Sequence, residues 1–461
     1  MIIKYGFSSL KSIKANILHV YKEEKEKLHG YLNQLSCHFH LKFELCDMES
    51  ILIVLYFIDD NWVLKQKIID FAYERCERES SDVLKGLLVD LNVDKNICST
   101  VTGICENNLD LYFINLWIGE RAVLPFNGHL LPIDWLVNKL KRNVQNGPNW
   151  MAGLLSEIKK LFNYVRETLS NENNFRVAVN KAKSMGKRVT SQGLPKKSIF
   201  DELELLESAL GFKEAFCELE QIDPDFKLIN LTDELWYKAN VAYECANELK
   251  DVADNFWRSK YTTANVYFPK VCDIYMKLLQ WEGSDNYYVC EIASSIREKY
   301  FDKYWSKCNL VLVIAVILDP RFKTDIVVGW YMELYGRDAN TRLKKIMIEV
   351  TNVYNEYAKV PRMLDTLGRP SPSSNSELDL YLNEAKIPAV EEFDILAWWR
   401  TNSPKYPALA RMARDFLAIP ISTPCFTSNT CHLGSELSNI SNCDGLDVDL
   451  KKALVCTKSW L

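Results

Sequence analysis

SELDLYLNEAKIPAVEEFDILAWWRTNSPKYPALARMARDFLAIPIST runs from Ser376 to Thr423. It reads as an acidic strand-and-turn entry, a tryptophan pair at Trp398 and Trp399, a proline-punctuated turn, and an apolar helix. Pro404, Tyr406 and Pro407 set the turn that aims the helix. Leu409, Met412, Ala413, Phe416 and Leu417 then recur at i, i+3, i+4, i+7 and i+8, which places them on one helical face. Such a stripe is core on nearly every helix, so alone it does not show a partner chain. Tryptophans bury large areas and concentrate at interface hot spots, but they fill a domain's own core as readily.

Pro370 to Asn375 (PSPSSN) is the clearest linker, and it separates this stretch from a mainly helical block between about Pro132 and Tyr357. Helical spacing is read over Met151–Ser170, Phe200–Leu219, Thr232–Asp254, Tyr267–Trp281, Tyr288–Leu318 and Ala339–Tyr357. The start of the chain differs. A helix is expected over Leu10–Leu35, then strands over Phe39–Leu45, Ile51–Ile58 and Val63–Phe71, the last two joined by an Asp59-Asp60-Asn61 turn. A helix over Ser81–Leu91, capped by Ser80 or Ser81, and a strand over Asn96–Thr102 follow. Three antiparallel strands, a helix and a further strand are the order expected at the start of an RNase H-like fold.

The 461 residues are 48% hydrophobic and 25% charged, with a net charge of −5, so DNA contact would have to come from local basic patches. The strongest apolar run, Leu310 to Leu318, falls well short of the roughly 18 residues that span a bilayer. No secretion signal is read, and the 14 cysteines include no C-x-x-C pair, so reduced thiols in the cytosol or nucleus are expected. Cys37, His38, His40 and Cys46 are the one cluster of potential metal ligands. Strand alternation puts His38 and His40 on one face and Cys37 on the other, which favours half-buried strand residues over a zinc site.

Four phrases in order carry a resemblance to hAT-superfamily transposases, especially plant RICESLEEPER-like members: FIDDNWVLKQKIIDF (Phe57–Phe71), Trp236–Leu278, Phe301–Val327 with its Leu-Asp-Pro-Arg-Phe-Lys signature at Leu318–Lys323, and ALVCTKSWL (Ala453–Leu461). The Ser376–Thr423 stretch resembles the family's C-terminal dimerisation region. The resemblance implies an α/β fold: an RNase H-like core interrupted by a large all-helical insertion, with an hAT-type dimerisation region at the C-terminal end. Residues 1–125 would supply the first half of the core, 126–345 the insertion, and 346–461 the rest, with dimerisation from about 375. The BED zinc finger that opens full-length members is not expected here.

Family members cut and join DNA with an Asp-Asp-Glu triad, because two Mg²⁺ ions ~4 Å apart must be held by carboxylates. By the resemblance, the first aspartate falls at Glu44, in HLKFELCD, with Cys46 at the neighbouring tryptophan. The second falls at Gly103 or Ile104, in STVTGICENN, and the third acid at Thr427. Glu reaches one methylene further than Asp, and Glu106 and Glu436 are out of register. The Cys-Cys-Ala-His and Arg-Trp-Asn-Ser motifs align with Trp135–Asn138 and Ser198–Asp201. Packing parts are retained and active-site parts are lost.

The expected protein is therefore a catalytically inactive, transposase-derived nuclear protein. It would dimerise with itself or a related hAT protein through Trp398, Trp399, Pro404, Tyr406, Pro407, Leu409, Met412, Ala413, Phe416 and Leu417, with one ring inward and one toward the partner. Duplex DNA would meet Lys181, Lys183, Lys187, Arg188, Lys196 and Lys197. The competing reading of that stretch is a solvated loop balancing Asp201, Glu202, Glu204 and Glu207. Lys139, Lys141 and Arg142 form a second basic patch. No cofactor, bound metal, membrane or small-molecule substrate is implied. The alternatives are an interaction module or decayed element with no DNA role, and an active transposase with displaced acids at Glu44 and Glu106. Asp59–Asp60 reads as a turn, and Cys431–His432 as a loop without a third residue to orient the histidine.

Overall fold

In the strand FHLKFEL, Phe39, Leu41 and Phe43 are buried, and so are His40 and Lys42 between them. Side chains alternate across a sheet, so both of its faces must be covered here. The computed structural model describes residues 10–45, 50–73, 79–102, 129–132, 136, 148–191, 193–194, 202–257, 263–359, 376–388, 393–421 and 446–461. They divide into two units: residues 1–134, 260–271 and 307–461 in the first, 135–259 and 272–306 in the second. The sequence reading had placed these bounds at 125/126 and 345/346.

The first unit holds α1 (Leu10–Gln34), β1 (Phe39–Leu45), β2 (Ser50–Ile58), β3 (Leu64–Tyr73), α2 (Glu79–Asp90), β4 (Ile97–Thr102) and β5 (His129–Leu130). The sheet order is β3-β2-β1-β4-β5. The first three strands form an antiparallel meander, and β4 and β5 then run parallel to β1. The β2–β3 turn is fixed by Asp59, whose Oδ1 accepts from the Asn61 and Val63 amides at 3.0 and 2.9 Å. One sheet face packs Phe39, Leu41, Ile53, Leu55 and Phe57 against Leu28 and Leu32 of α1, Leu84 and Leu88 of α2, and Leu91 just beyond it.

The returning chain of this unit supplies the remaining helices. Within α9 (Asp302–Ile317), which belongs to this unit from Lys307 on, Val311 to Ile317 are all buried. There follow α10 (Asp325–Tyr335), α11 (Ala339–Ala358), α12 (Glu377–Asn383), α13 (Ile395–Asn402), α14 (Pro407–Ala418) and α15 (Val448–Trp460). Gly336, at φ 49°, makes the corner between α10 and α11 in a left-handed conformation that costs glycine little. Val455 and Cys456 of α15 pack with Leu52, Val54, Tyr56 and Ile68, opposite the α1–α2 face.

The second unit holds α3 (Asn149–Glu167), α4 (Leu169–Ser184), α5 (Glu202–Ile222), α6 (Asp233–Trp257) and α8 (Tyr287–Ile296), with α7 (Tyr267–Glu282) contributing from Cys272 on. Phe216 centres its core, 5.7 Å from Phe162, 5.2 Å from Phe175, 5.7 Å from Phe226 and 6.3 Å from Trp236. A Cβ at Gly211 would stand 3.0 Å from the Thr190 Cβ, so this position admits a close chain approach.

Three expectations need correction. The acidic strand-and-turn entry is the helix α12: Ser376 accepts from the Asp379 amide while the Asp379 side chain accepts from the Ser376 amide, a reciprocal capping box. Lys181 and Lys183 sit in the last turn of α4, a helix beyond the expected Met151–Ser170 helix, where no helix was expected; Thr168 caps it and Phe175, Ala178 and Ala182 are its buried side. Tyr288–Leu318 is not one α-helix but α8, a π-helical turn over Arg297–Phe301, and α9.

Candidate active-site face and dimerisation region

Phe43 of β1 lies opposite Thr102 of β4, a neighbouring parallel strand. Glu44 itself pairs with Leu52 of β2. Gly103, Ile104, Glu106, Thr427 and Glu436 lie outside the described residues, as do Cys431, His432, Lys139, Lys141, Arg142, Lys196 and Lys197. Of the two eroded motifs only Leu136 is described, and it is buried. At the positions that the family resemblance assigns to the three acids stand Glu44, Gly103 or Ile104, and Thr427, a set with one carboxylate, whereas two divalent cations each need several oxygen ligands. By that resemblance these residues do not fit a two-magnesium centre. Lys42, two residues before Glu44 on the same strand, is buried. Among the described residues no group of three or more His, Cys, Asp or Glu is arranged to hold a metal.

His38 and His40 meet a residue that sequence reasoning passed over. Asp415 of α14 is buried, and its Oδ2 is 2.6 Å from His38 Nδ1 and accepts from the Tyr357 hydroxyl at 2.7 Å. His40 Nδ1 is 2.7 Å from Ser99 Oγ and 3.3 Å from Cys98 Sγ. Burial resists charge on His38, but the Asp415 carboxylate beside it lifts its pKa above the usual value. Burial likewise opposes charge on Asp415, while His38 and the Tyr357 hydroxyl hold its pKa below the ordinary range. His40 goes the other way: burial pushes it down to about 4, so it is neutral at pH 7. Burial also pushes the Cys98 thiol well up, so it stays protonated and is no nucleophile. The cluster joins α11 and α14 to the start of β1, and of its members His38 alone is partly exposed.

The expected dimerisation residues fall into two groups. Trp399, Tyr406, Leu409, Met412, Ala413, Phe416 and Leu417 are buried by this chain alone. Trp398 and Pro407 are partly exposed and Pro404 is exposed. Trp399 donates its indole N–H to the Leu318 carbonyl at 2.9 Å and stacks edge-on with Trp398, with ring centroids 4.9 Å apart. Tyr381 lies 5.5 Å from Trp399 and donates its hydroxyl to the Ile317 carbonyl at 2.9 Å.

The Leu318–Lys323 motif is the seat of this cluster. Both Asp319 oxygens accept from the Arg321 guanidinium, and Oδ2 also accepts from Asn265 at 2.7 Å. Lys323, in a left-handed conformation at φ 50°, donates its ammonium to the Tyr381 and Glu384 carbonyls. The family phrase at 318–323 and the tryptophan pair, about eighty residues apart in sequence, are therefore one packed structure.

Two of the six expected basic-patch residues are ion-paired. Lys181 and Lys187 both bond to Glu218, at 2.8 and 2.7 Å, and Lys187 lies 3.4 Å from Glu214. The balancing acids are thus on α5, two and three turns beyond the Asp201–Glu207 run that the sequence reading named.

An RNase H-type sheet followed by a helical C-terminal region defines a transposase-like scaffold, and comparison with known proteins bears this out. A family model described as hAT-like transposase, RNase-H fold, matches residues 265–357, and one described as hAT family C-terminal dimerisation region matches residues 377–461. The chain carries hAT transposase-like RNase-H and dimerisation domains. It is 27% identical to the rice (Oryza sativa subsp. japonica) zinc finger BED domain-containing protein RICESLEEPER 1, over 99% of this chain and 70% of that protein. It is 25% identical to a putative AC transposase of Zea mays, over 96% of this chain and 59% of that protein. Identity to the Arabidopsis thaliana protein DAYSLEEPER is 30%, over 56% of this chain and 39% of that one. No helix among the described residues is long and apolar enough to cross a membrane.

Proposed function

We propose that this transposase-derived protein is catalytically inactive, dimerises with itself or a related hAT protein through its C-terminal region, and associates with duplex DNA in the nucleus. The observation that carries the inactivity is the donor set at the three acid positions: Glu44, Gly103 and Thr427. Losing one carboxylate ligand weakens a two-metal centre, and losing two removes it. What such a protein keeps is a scaffold and a self-association surface, which suits a transcriptional or chromatin-associated role.

The ion pairs of Lys181 and Lys187 favour a second reading, an interaction module without a DNA role. A strand-cleavage and strand-transfer assay with Mg²⁺ or Mn²⁺ tests the first claim. No product above the metal-only background is expected, and metal-dependent nicking by the purified chain would overturn it. Retention on duplex DNA at low salt separates the two readings.

A further inference from the structure

The corner between α10 and α11 and the first turns of α11 concentrate basic side chains. Arg337, Arg342, Lys344 and Lys345 fall within nine residues that hold a single acid, Asp338. All four are exposed. None makes an ion pair with a described residue, unlike Lys181 and Lys187. The nearest other acids in sequence are Glu333 on α10 and Glu349 on α11.

One of the four is held in place. The Arg342 guanidinium lies 4.4 Å over the Tyr335 ring, Tyr335 stacks edge-on against Tyr331 at 5.2 Å, and the Tyr331 hydroxyl donates to Asn309 at 3.1 Å. A guanidinium stacked on an aromatic face keeps its N–H edge for an anion and loses little side-chain freedom on binding. The open face of α11 continues the surface with Thr341, Lys344, Lys345, Asn352 and Asn355, which can donate hydrogen bonds; the exposed Ile348 stands among them, and Glu349 and Glu356 border the face. By its 20 residues α11 is about 30 Å long, comparable to one turn of duplex DNA.

We propose that the α10–α11 corner, with Arg337, Arg342, Lys344 and Lys345, is a contact surface for the phosphate backbone of duplex DNA. This rests on the DNA-associated reading above and moves the contact away from the Lys181–Lys197 stretch. Phosphate contacts position a protein without reading sequence, so the surface supplies affinity and not site choice.

The test is a titration of a fluorescent mixed-sequence duplex with the full chain between about 50 and 200 mM salt. The variant R337Q/R342Q/K344Q/K345Q is compared with K183Q/R188Q. Each phosphate neutralised contributes about 0.9 to the slope of log affinity against log salt. The four-site variant should therefore lose about 3 to 4 of slope and at least tenfold in affinity at the lowest salt, while K183Q/R188Q binds as the parent does. All substituted side chains are exposed, and an unchanged melting curve confirms that the variants fold. Parent and four-site variant binding alike would overturn this surface and leave the DNA reading standing. No binding by the parent would remove that reading and this surface with it. Parent binding to an acidic peptide in place of DNA would overturn the choice of partner.

Discussion

On a helical wheel, Arg411, Arg414 and Asp415 form the polar side of α14, opposite Leu409, Met412 and Phe416. A sequence reading leaves such a side in water. The structure instead encloses it: Arg411 donates to the Tyr357 carbonyl at 2.7 Å, Arg414 to the Ile58 carbonyl at 2.9 Å and the Asp60 carboxylate at 2.8 Å, and Asp415 binds His38. No local signal marks this, because every partner comes from a distant part of the chain. The histidines were legible as inward-facing strand residues, but their partner was not. The cluster gives stability a defined acid dependence. His40 is depressed to about 4 in the folded protein, so below its ordinary value of 6.5 the unfolded chain binds a proton that the native state refuses. Stability falls between those values by on the order of 3 kcal/mol. His38 is shifted upward, so its stabilisation is complete below 6.5 and lost only as pH rises through its folded value. Asp415, shifted downward, loses its contribution only below the ordinary carboxylate range. Urea unfolding from pH 7 to 4.5 should show the decline, and His40→Gln should flatten it.

At α12 the sequence pointed the wrong way for an identifiable reason. Leu378, Leu380 and Leu382 alternate, which mimics the two-residue period of a strand. Helical spacing prevails because Ser376 and Asp379 close a capping box, and because Leu378 and Tyr381, three apart, are the buried pair while Leu380 is 44% exposed. The helix α14 was legible because five apolar residues repeat at helical spacing. Its burial on all sides was not, since burial depends on β2, α11 and α13 arriving around it. The tryptophans separate in the same way. Trp399 fills a site inside the chain and satisfies the Leu318 carbonyl; Trp398 keeps one side open. Trp399→Ala should lower unfolding free energy by about 4 kcal/mol, the range for a buried large aromatic. Trp398→Ala should cost about 1 to 2 kcal/mol and raise the monomer fraction on dilution. Denaturation curves, with light scattering at several concentrations, distinguish the two effects.

The order from α1 to β4 was readable, because each strand there carries its own pattern, whereas β5, α4, α10 and the helical character of α12 were not. The way the first unit is assembled was not, since it gathers three separate stretches of chain. Its dimerisation region predicts a particle of twice the chain mass in light scattering at micromolar concentration, and a monomer at all accessible concentrations would refute that.

The edge strand β3 shows how far apart the assembled pieces lie. Ile68 offers its amide and carbonyl outward, and α15 answers both: the amide donates to Ser459 Oγ at 2.8 Å, and Trp460 Nε1 donates to the carbonyl at 2.7 Å. Lys67 closes the end of α15 by donating to the Ser459 and Trp460 carbonyls at 2.8 and 3.2 Å. These partners are 391 to 393 residues apart. A ribosome adding ~5–20 residues per second needs about 20 to 80 seconds to cross that interval. Through all of it the nascent sheet has an open edge, a template for pairing with the next chain on the same message. A chain stopped before α15 is therefore expected to leave β3 uncovered and to aggregate, which light scattering of such a fragment would show.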